Sequence, residues 1–284
     1  MGRTKVQFGL AAAAAVFIAG VAIRLPAQPD GTIATRPAGS KFEVVSIQAA
    51  TERPRDGVDV RADGARMELR CWSLMRLIVK AYGIQDCRLA GTDGMGLNDI
   101  PFDIQATLPP GTAPKDIPEM LQAMLSDRFG LKMHAETRNL RGFSLTVAKG
   151  GPKIQPAAEP APDREPDAAD LLADNLKAWG VSVFGRTLGG NFRMKFDALP
   201  MGRLTTFLES HLGAPVADRT GLAGDYQVML EYDPGLDRRG PSLRDQGGSD
   251  LFLAVRRLGL KLDPQSVRTS VLVVDRLETT PTAN

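Results

Sequence analysis

Apolar positions follow two periods along this chain, and the same succession of periods occurs twice. Phe42-Glu43-Val44-Val45-Ser46-Ile47 and the stretch from Arg66 to Arg70, with Met67 and Leu69 on one face, carry the alternation of strands. Leu74, Leu77, Ile78 and Ala81 then fall on a helical period, with Ser73 placed to cap it and Gly83 to stop it. Phe102-Asp103-Ile104-Gln105-Ala106 returns to strand. Ile117 to Phe129 is the clearest helix, because Ile117, Met120, Leu121, Met124, Leu125 and Phe129 form one stripe. Asp116 with Glu119 reads as a variant capping box, Pro118 sits in the tolerated first turn, and Gly130 ends the helix. Leu131 to His134 and Phe143 to Val147 read as two strands joined by a polar turn.

The second half repeats the order. Trp179 to Val183 and Phe192 to Phe196 are strand candidates. Pro200 to Leu212 is a helix with Met201, Leu204, Leu208 and Leu212 inward and Gly213 as its stop. Tyr226 to Leu230 is a strand, Asp233 to Gly248 a turn-rich loop, and Ser249 caps a helix over Asp250 to Leu258. Leu260 to Leu262 and Val271 to Val274 close the unit. Arg66-Met67-Glu68-Leu69 aligns with Arg193-Met194-Lys195-Phe196 at an interval of 127 residues, and Arg76-Leu77 falls on Arg203-Leu204. Arg128-Phe129-Gly130-Leu131-Lys132-Met133 aligns with Arg257-Leu258-Gly259-Leu260-Lys261-Leu262 at 129. A fixed internal interval is the mark of one structural unit used repeatedly. The expected fold is therefore α+β, in two tandem copies of a strand–strand–helix–strand–helix–strand–strand unit at 42–150 and 179–280. A linker rich in Pro, Ala and acid joins them over 151–178, with a short helix at Leu171 to Leu176.

Length agrees with this: 284 residues suit two domains at about 100–200 residues each. The N-terminus adds a targeting expectation. Arg3 and Lys5 precede an uncharged run from Val6 to Ile23, and Ala27 offers a cleavage point, so 1–27 reads as a signal peptide or an uncleaved inner-membrane anchor. Residues 28–41 read as a flexible segment. In either case the body is expected outside the cytoplasm, periplasmic or secreted, touching a membrane only through an uncleaved N-terminus. The formal net charge is +2, and Arg3, Lys5 and Arg24 belong to the leader, which leaves −1 for the rest. A near-neutral body gives no electrostatic footprint for nucleic acid. The arginines between Arg53 and Arg76 are interrupted by acids and read as a solvated face.

The chemistry-bearing residues are sparse. Cys71 and Cys87 are the only cysteines, and export makes them a candidate disulfide. Their places before and after the first helix oppose it, since a helix of about ten residues separates its ends by ~15 Å. The only histidines, His134 and His211, lack the spacing of a metal motif, so no metal or cofactor is expected. Gly142-Phe143-Ser144-Leu145-Thr146 only approaches a nucleophile elbow and lies in a strand. Gly91 to Gly96 lacks the ending of a phosphate loop and reads as a turn. Trp72 and Trp179 read as core or edge anchors. No residue is assigned a catalytic role. Asp103 and Asp225 occupy corresponding strands and would form a carboxylate pair if the copies packed about a twofold axis. Arg76 and Arg203 occupy corresponding helix positions, suited to a partner's carboxylate. These four are the candidates for partner contact.

Several blocks carry a resemblance: Phe42 to Ile47, Leu77-Ile78-Val79-Lys80-Ala81-Tyr82-Gly83-Ile84, Phe102-Asp103-Ile104, Leu121 to Lys132, Val147 to Lys153, Asp218-Arg219-Thr220-Gly221-Leu222-Ala223-Gly224-Asp225-Tyr226, and Leu258 to Leu262. In order and spacing they resemble a family of exported soil-associated proteins, expanded in acidobacteria, with a domain of unknown function. Gly91 to Gly96 replaces that family's usual Gly-Pro-x-Trp-like stretch, and Cys71 and Cys87 are outside its pattern. The resemblance implies an extracytoplasmic location and no particular activity. The strand–helix–strand blocks also resemble the short N-terminal module of secretins and TonB-dependent receptors, which docks proteins in the periplasm. The leading expectation is a non-enzymatic module docking a protein or peptide in the envelope. The alternatives are a hydrolase of envelope or extracellular polymer, with its site between two lobes, and a small-ligand sensor.

Overall fold

The computed structural model describes residues 41–51, 59–62, 65–158, 181–186, 192–232 and 250–282. The leader, Trp179, the Leu171–Leu176 segment, the Asp233–Gly248 loop and Ser249 lie outside them. The fold is α+β. Three four-stranded sheets carry four helices among the described residues.

The first sheet holds β1 (Val44–Ala49), β2 (Asp59–Ala62), β3 (Arg66–Ser73) and β5 (Pro101–Thr107) in the order β1-β5-β3-β2, all antiparallel. Helices α1 (Leu74–Tyr82) and α2 (Ile117–Phe129) pack with it in one core. Leu69, Leu77, Ile78, Ile104, Leu121 and Leu125 are fully buried there, and Phe102 meets Phe129 edge-on at 5.4 Å. Each fully buried leucine contributes about 1.5–3 kcal/mol of transfer free energy.

A further sheet holds β7 (Gln155–Pro156), β8 (Val181–Arg186), β9 (Phe192–Pro200) and β11 (Asp225–Tyr232) in the order β7-β11-β9-β8. Helices α3 (Met201–Leu212) and α4 (Asp250–Arg257) pack with it around Phe196, Leu204, Leu208, Leu230 and Val255. The start of the expected linker is thus built in: β7 pairs with β11, and Ile154 is buried.

Between the two lies a sheet of order β10-β6-β12-β4, formed by β4 (Leu89–Ala90), β6 (Lys132–Val147), β10 (Val216–Asp218) and β12 (Leu260–Arg276). Strands β6 and β12 run antiparallel from Lys132 opposite Arg276 to Val147 opposite Leu260. Each outer strand pairs, parallel, with the long strand of the other half: β4 with β12 and β10 with β6. The long strands also share out the cores. Met133 packs against the first core and Val274 belongs to it, while Leu145, Leu260 and Leu262 belong to the second.

Helix ends follow the expected local signals. The Ser73 hydroxyl accepts from the Arg76 amide at 3.3 Å, and Gly83, Gly130 and Gly213 stop their helices in the left-handed conformation, which costs glycine no Cβ clash. Three expectations are corrected. The Asp116–Glu119 capping box does not form: Pro114–Asp116 is a 3-10 turn continuous with α2, and the Asp116 carboxylate accepts from the Ala113 amide at 3.1 Å instead. The two strands expected at Leu131–His134 and Phe143–Val147 are one strand of 16 residues. Likewise, Leu260 to Val274 lies within a single strand of 17 residues. Each supplies the other's ladder through the polar middle, so no turn interrupts either.

Candidate functional site

Asp103 is held by the backbone of its own sheet. Strand β3 carries a bulge opposite β5, where the register slips between Leu69 and Trp72. Within that bulge Cys71 sits at φ 60°, the one left-handed non-glycine residue described, and its amide donates to Asp103 Oδ1 at 2.8 Å. The carboxylate replaces the ladder partner that the bulge removes. Asp225 opens β11 in the other outer sheet, opposite Pro200, with its carbonyl accepting from the Ala157 amide. The two carboxylates that sequence placed in corresponding strands lie in different sheets, Asp103 in the first and Asp225 in the other outer one. Arg76 is the third residue of α1, with its guanidinium over the Trp72 ring at 4.8 Å, and Arg203 is the third residue of α3. Trp72 is fully buried. It anchors the core, and it holds Arg76 by a cation–π contact worth about 0.5–1 kcal/mol at an exposed site.

The histidines sit in separate environments. His134, near the start of β6, is bracketed by Asp275 on Nδ1 at 2.8 Å and Glu136 on Nε2 at 2.9 Å, and Glu136 also takes Arg138 Nε at 2.6 Å. Hydrogen bonds to Glu136 and then Asp275 raise the His134 pKa, and those from Arg138 and His134 lower that of Glu136. This is a solvent-facing chain of four ionisable groups. His211, in the last turn of α3, shares Nδ1 between the Phe207 carbonyl at 2.9 Å and the Ser210 hydroxyl, and its ring lies 4.1 Å from that of Phe207. Among the described residues no group of three or more His, Cys, Asp or Glu is arranged to hold a metal ion.

Cys71 and Cys87 are both free and half-buried, so the candidate disulfide is not formed. Cys87 belongs to the 3-10 turn Asp86–Arg88 that follows α1. Burial, then the charge of Glu209, pushes its thiol up to about 11. Sequence reasoning missed the neighbouring ion pair. Arg88 Nη2 meets Glu209 Oε1 at 2.5 Å, and the same oxygen accepts from the Val216 amide at 2.9 Å. The Glu209 side chain is 5% exposed and that of Arg88 31%. The pair ties the turn after α1 to α3 and to the first residue of β10. Nothing local announces it, because 121 residues separate the partners.

One exposed surface among the described residues is a sheet edge. β1 ends the first sheet, and Val44 is 64% exposed on it. The Ala50 amide donates to the Pro101 carbonyl. By antiparallel alternation the amides of Val45, Ile47 and Ala49 face away from β5. Arg128 Nη1 reaches the Val45 carbonyl from that side at 3.4 Å. A shallow groove beside it is lined by Phe42, Val45, Met120, Met124 and Arg128, with the Lys41–Asp127 ion pair at its mouth.

A family model described as a protein of unknown function, DUF3738, matches residues 75–277. No curated protein and no solved structure matches the chain.

Proposed function

Since the chain belongs to the DUF3738 family of unknown function, we propose from its surfaces that it is a non-enzymatic module that docks a protein or peptide partner outside the cytoplasm. The open edge of β1 carries this reading. Amides and carbonyls on its free side, an exposed Val44 and the adjoining groove suit an extended peptide added as a fifth strand. The charged run-in before an apolar N-terminal stretch supports the location.

We read the two halves as copies of one unit. Sheet orders β1-β5-β3-β2 and β7-β11-β9-β8, with their helices in matching places, support this. The hydrolase alternative would place His134, His211 or the Asp103–Asp225 pair in one pocket. Asp103 instead serves a backbone bulge, and the histidines are bound to separate partners, which favours docking.

The test is peptide display against the purified protein, followed by hydrogen exchange with the best binder. The expected result is an extended peptide that slows exchange of the Ile47 and Ala49 amides and that Ala49→Pro no longer binds. Proline there removes an outward amide and leaves the β5 ladder intact. Binders that protect other segments and ignore Ala49→Pro would overturn the reading.

A further inference from the structure

The middle of the β6–β12 ribbon has two unlike faces. On one, Val267, Thr269 and Val271 are buried beside Leu140. On the other, Thr137 pairs with Ser270, Asn139 with Arg268, and Arg141 with Ser266, and all six side chains are exposed. Direct partners and every second residue share a face, so these six form one continuous polar surface. It holds two arginines and no acid. Arg141 and Arg268 are diagonal neighbours across the ladder, at the separation of about 7–8 Å usual for such pairs. Neither makes a hydrogen bond or ion pair with the described residues. The contrast lies within the same strand, where Arg138 is neutralised by Glu136 and His134 by Glu136 and Asp275.

Two guanidinium groups on one face with no acid beside them make a local positive surface that attracts an anion. A guanidinium is a planar fork that takes a carboxylate through two parallel bonds. Asn139, Thr137, Ser266 and Ser270 surround the pair with small groups able to bond the backbone or side chains of a bound chain. We propose that this face binds an acidic peptide segment, its carboxylates seated on Arg141 and Arg268. The surface is separate from the β1 edge and stands or falls independently of it.

The experiment is fluorescence anisotropy of a labelled oligoglutamate peptide with the purified protein. Binding is expected at low salt and weakens as salt rises, because exposed charges are screened. Arg141→Ser and Arg268→Ser should each weaken it by up to about fivefold, the range of an exposed ion pair. Arg141→Glu with Arg268→Glu should abolish it and create binding to oligolysine. Both side chains are exposed, so the variants keep the parent's melting temperature. Ala49→Pro should bind oligoglutamate as the parent does. No binding at low salt, unchanged affinity in the double serine variant, or capture of a sulfated sugar or oligonucleotide in place of oligoglutamate would each overturn the proposal.

Discussion

Asn139 stands directly opposite Arg268 in the β6–β12 ladder, and Arg268 follows Asn139 in sequence by 129 positions. The same interval carries Arg128-Phe129-Gly130-Leu131 onto Arg257-Leu258-Gly259-Leu260. A residue paired with its own counterpart marks where a twofold relation between the halves would cross the sheet. The outer strands keep the same relation. Leu89 pairs with Leu272 and Val216 with Phe143, and the intervals of 127 and 129 exchange the two pairs. This register is the strongest support for reading the halves as copies.

The Arg88–Glu209 pair breaks that correspondence, because at the interval of 127 Glu209 matches Tyr82 and Arg88 matches Pro215. Glu209→Ala strips a half-buried guanidinium of its partner and leaves the Val216 amide without an acceptor. Allowing for the exposure of Arg88, the expected loss is about 2–3 kcal/mol. Urea unfolding measures it. A loss below half a kilocalorie would show that water replaces the pair.

Cys71 occupies a backbone conformation that disfavours any side chain. Cys71→Gly should therefore fold at least as stably as the parent, with a gain of up to about 1 kcal/mol. Cys71→Val should lose about 1–3 kcal/mol. Asp103→Ala should cost a similar amount by orphaning the Cys71 amide. Thermal melts of the three variants check the order, and a Cys71→Gly variant less stable than Cys71→Val would refute it.

Cys87 stays a neutral thiol at physiological pH, because its pKa is pushed up to about 11. It should react with iodoacetamide at pH 8 only on unfolding. Since the folded value is the higher one, this group's contribution to stability is complete at neutral pH and is lost as pH rises toward 11. Mass spectrometry after native alkylation gives the answer, and rapid labelling of Cys87 would contradict it.

His134 should titrate above the value of a free histidine, and Asp275→Asn or Glu136→Gln should lower its midpoint. A raised folded pKa means that its contribution is complete in acid and fades as pH rises through that midpoint. The lowered Glu136 pKa has the opposite sign, so its contribution is lost as pH falls. Imidazole proton shifts followed by NMR would measure the His134 midpoint directly, and a value at or below that of free histidine would remove the basis for both statements.

Sequence made the helices and most core strands legible, because their signals are short-range. Ser73 and Gly83 bound α1, and Gly130 and Gly213 stop α2 and α3. It hid whatever depends on a distant partner. The polar run from Ala135 to Arg141 looks like a turn until β12 is laid beside it, since only one face of that ribbon is buried. β4 and β10, two and three residues long, have no period to detect. Asp103 advertises a carboxylate but not its purpose, which exists only because β3 bulges at Cys71. Arg141 and Arg268 carry no motif, and only the register places them together.

The order of synthesis gives the long strands a further meaning. β6 ends at Val147 and its ladder partner β12 begins at Leu260, so the partner is synthesised long after β6. Until residues 260–276 arrive, β6 has an unpaired side along its full length, β4 has no neighbour, and the first core lacks Val274. The β6–β12 ladder therefore cannot close until residues 260–276 are made, and that strand of 17 residues contributes to both cores. Non-local pairing of this kind is slow. A stop codon at position 259 would release a chain with neither half finished.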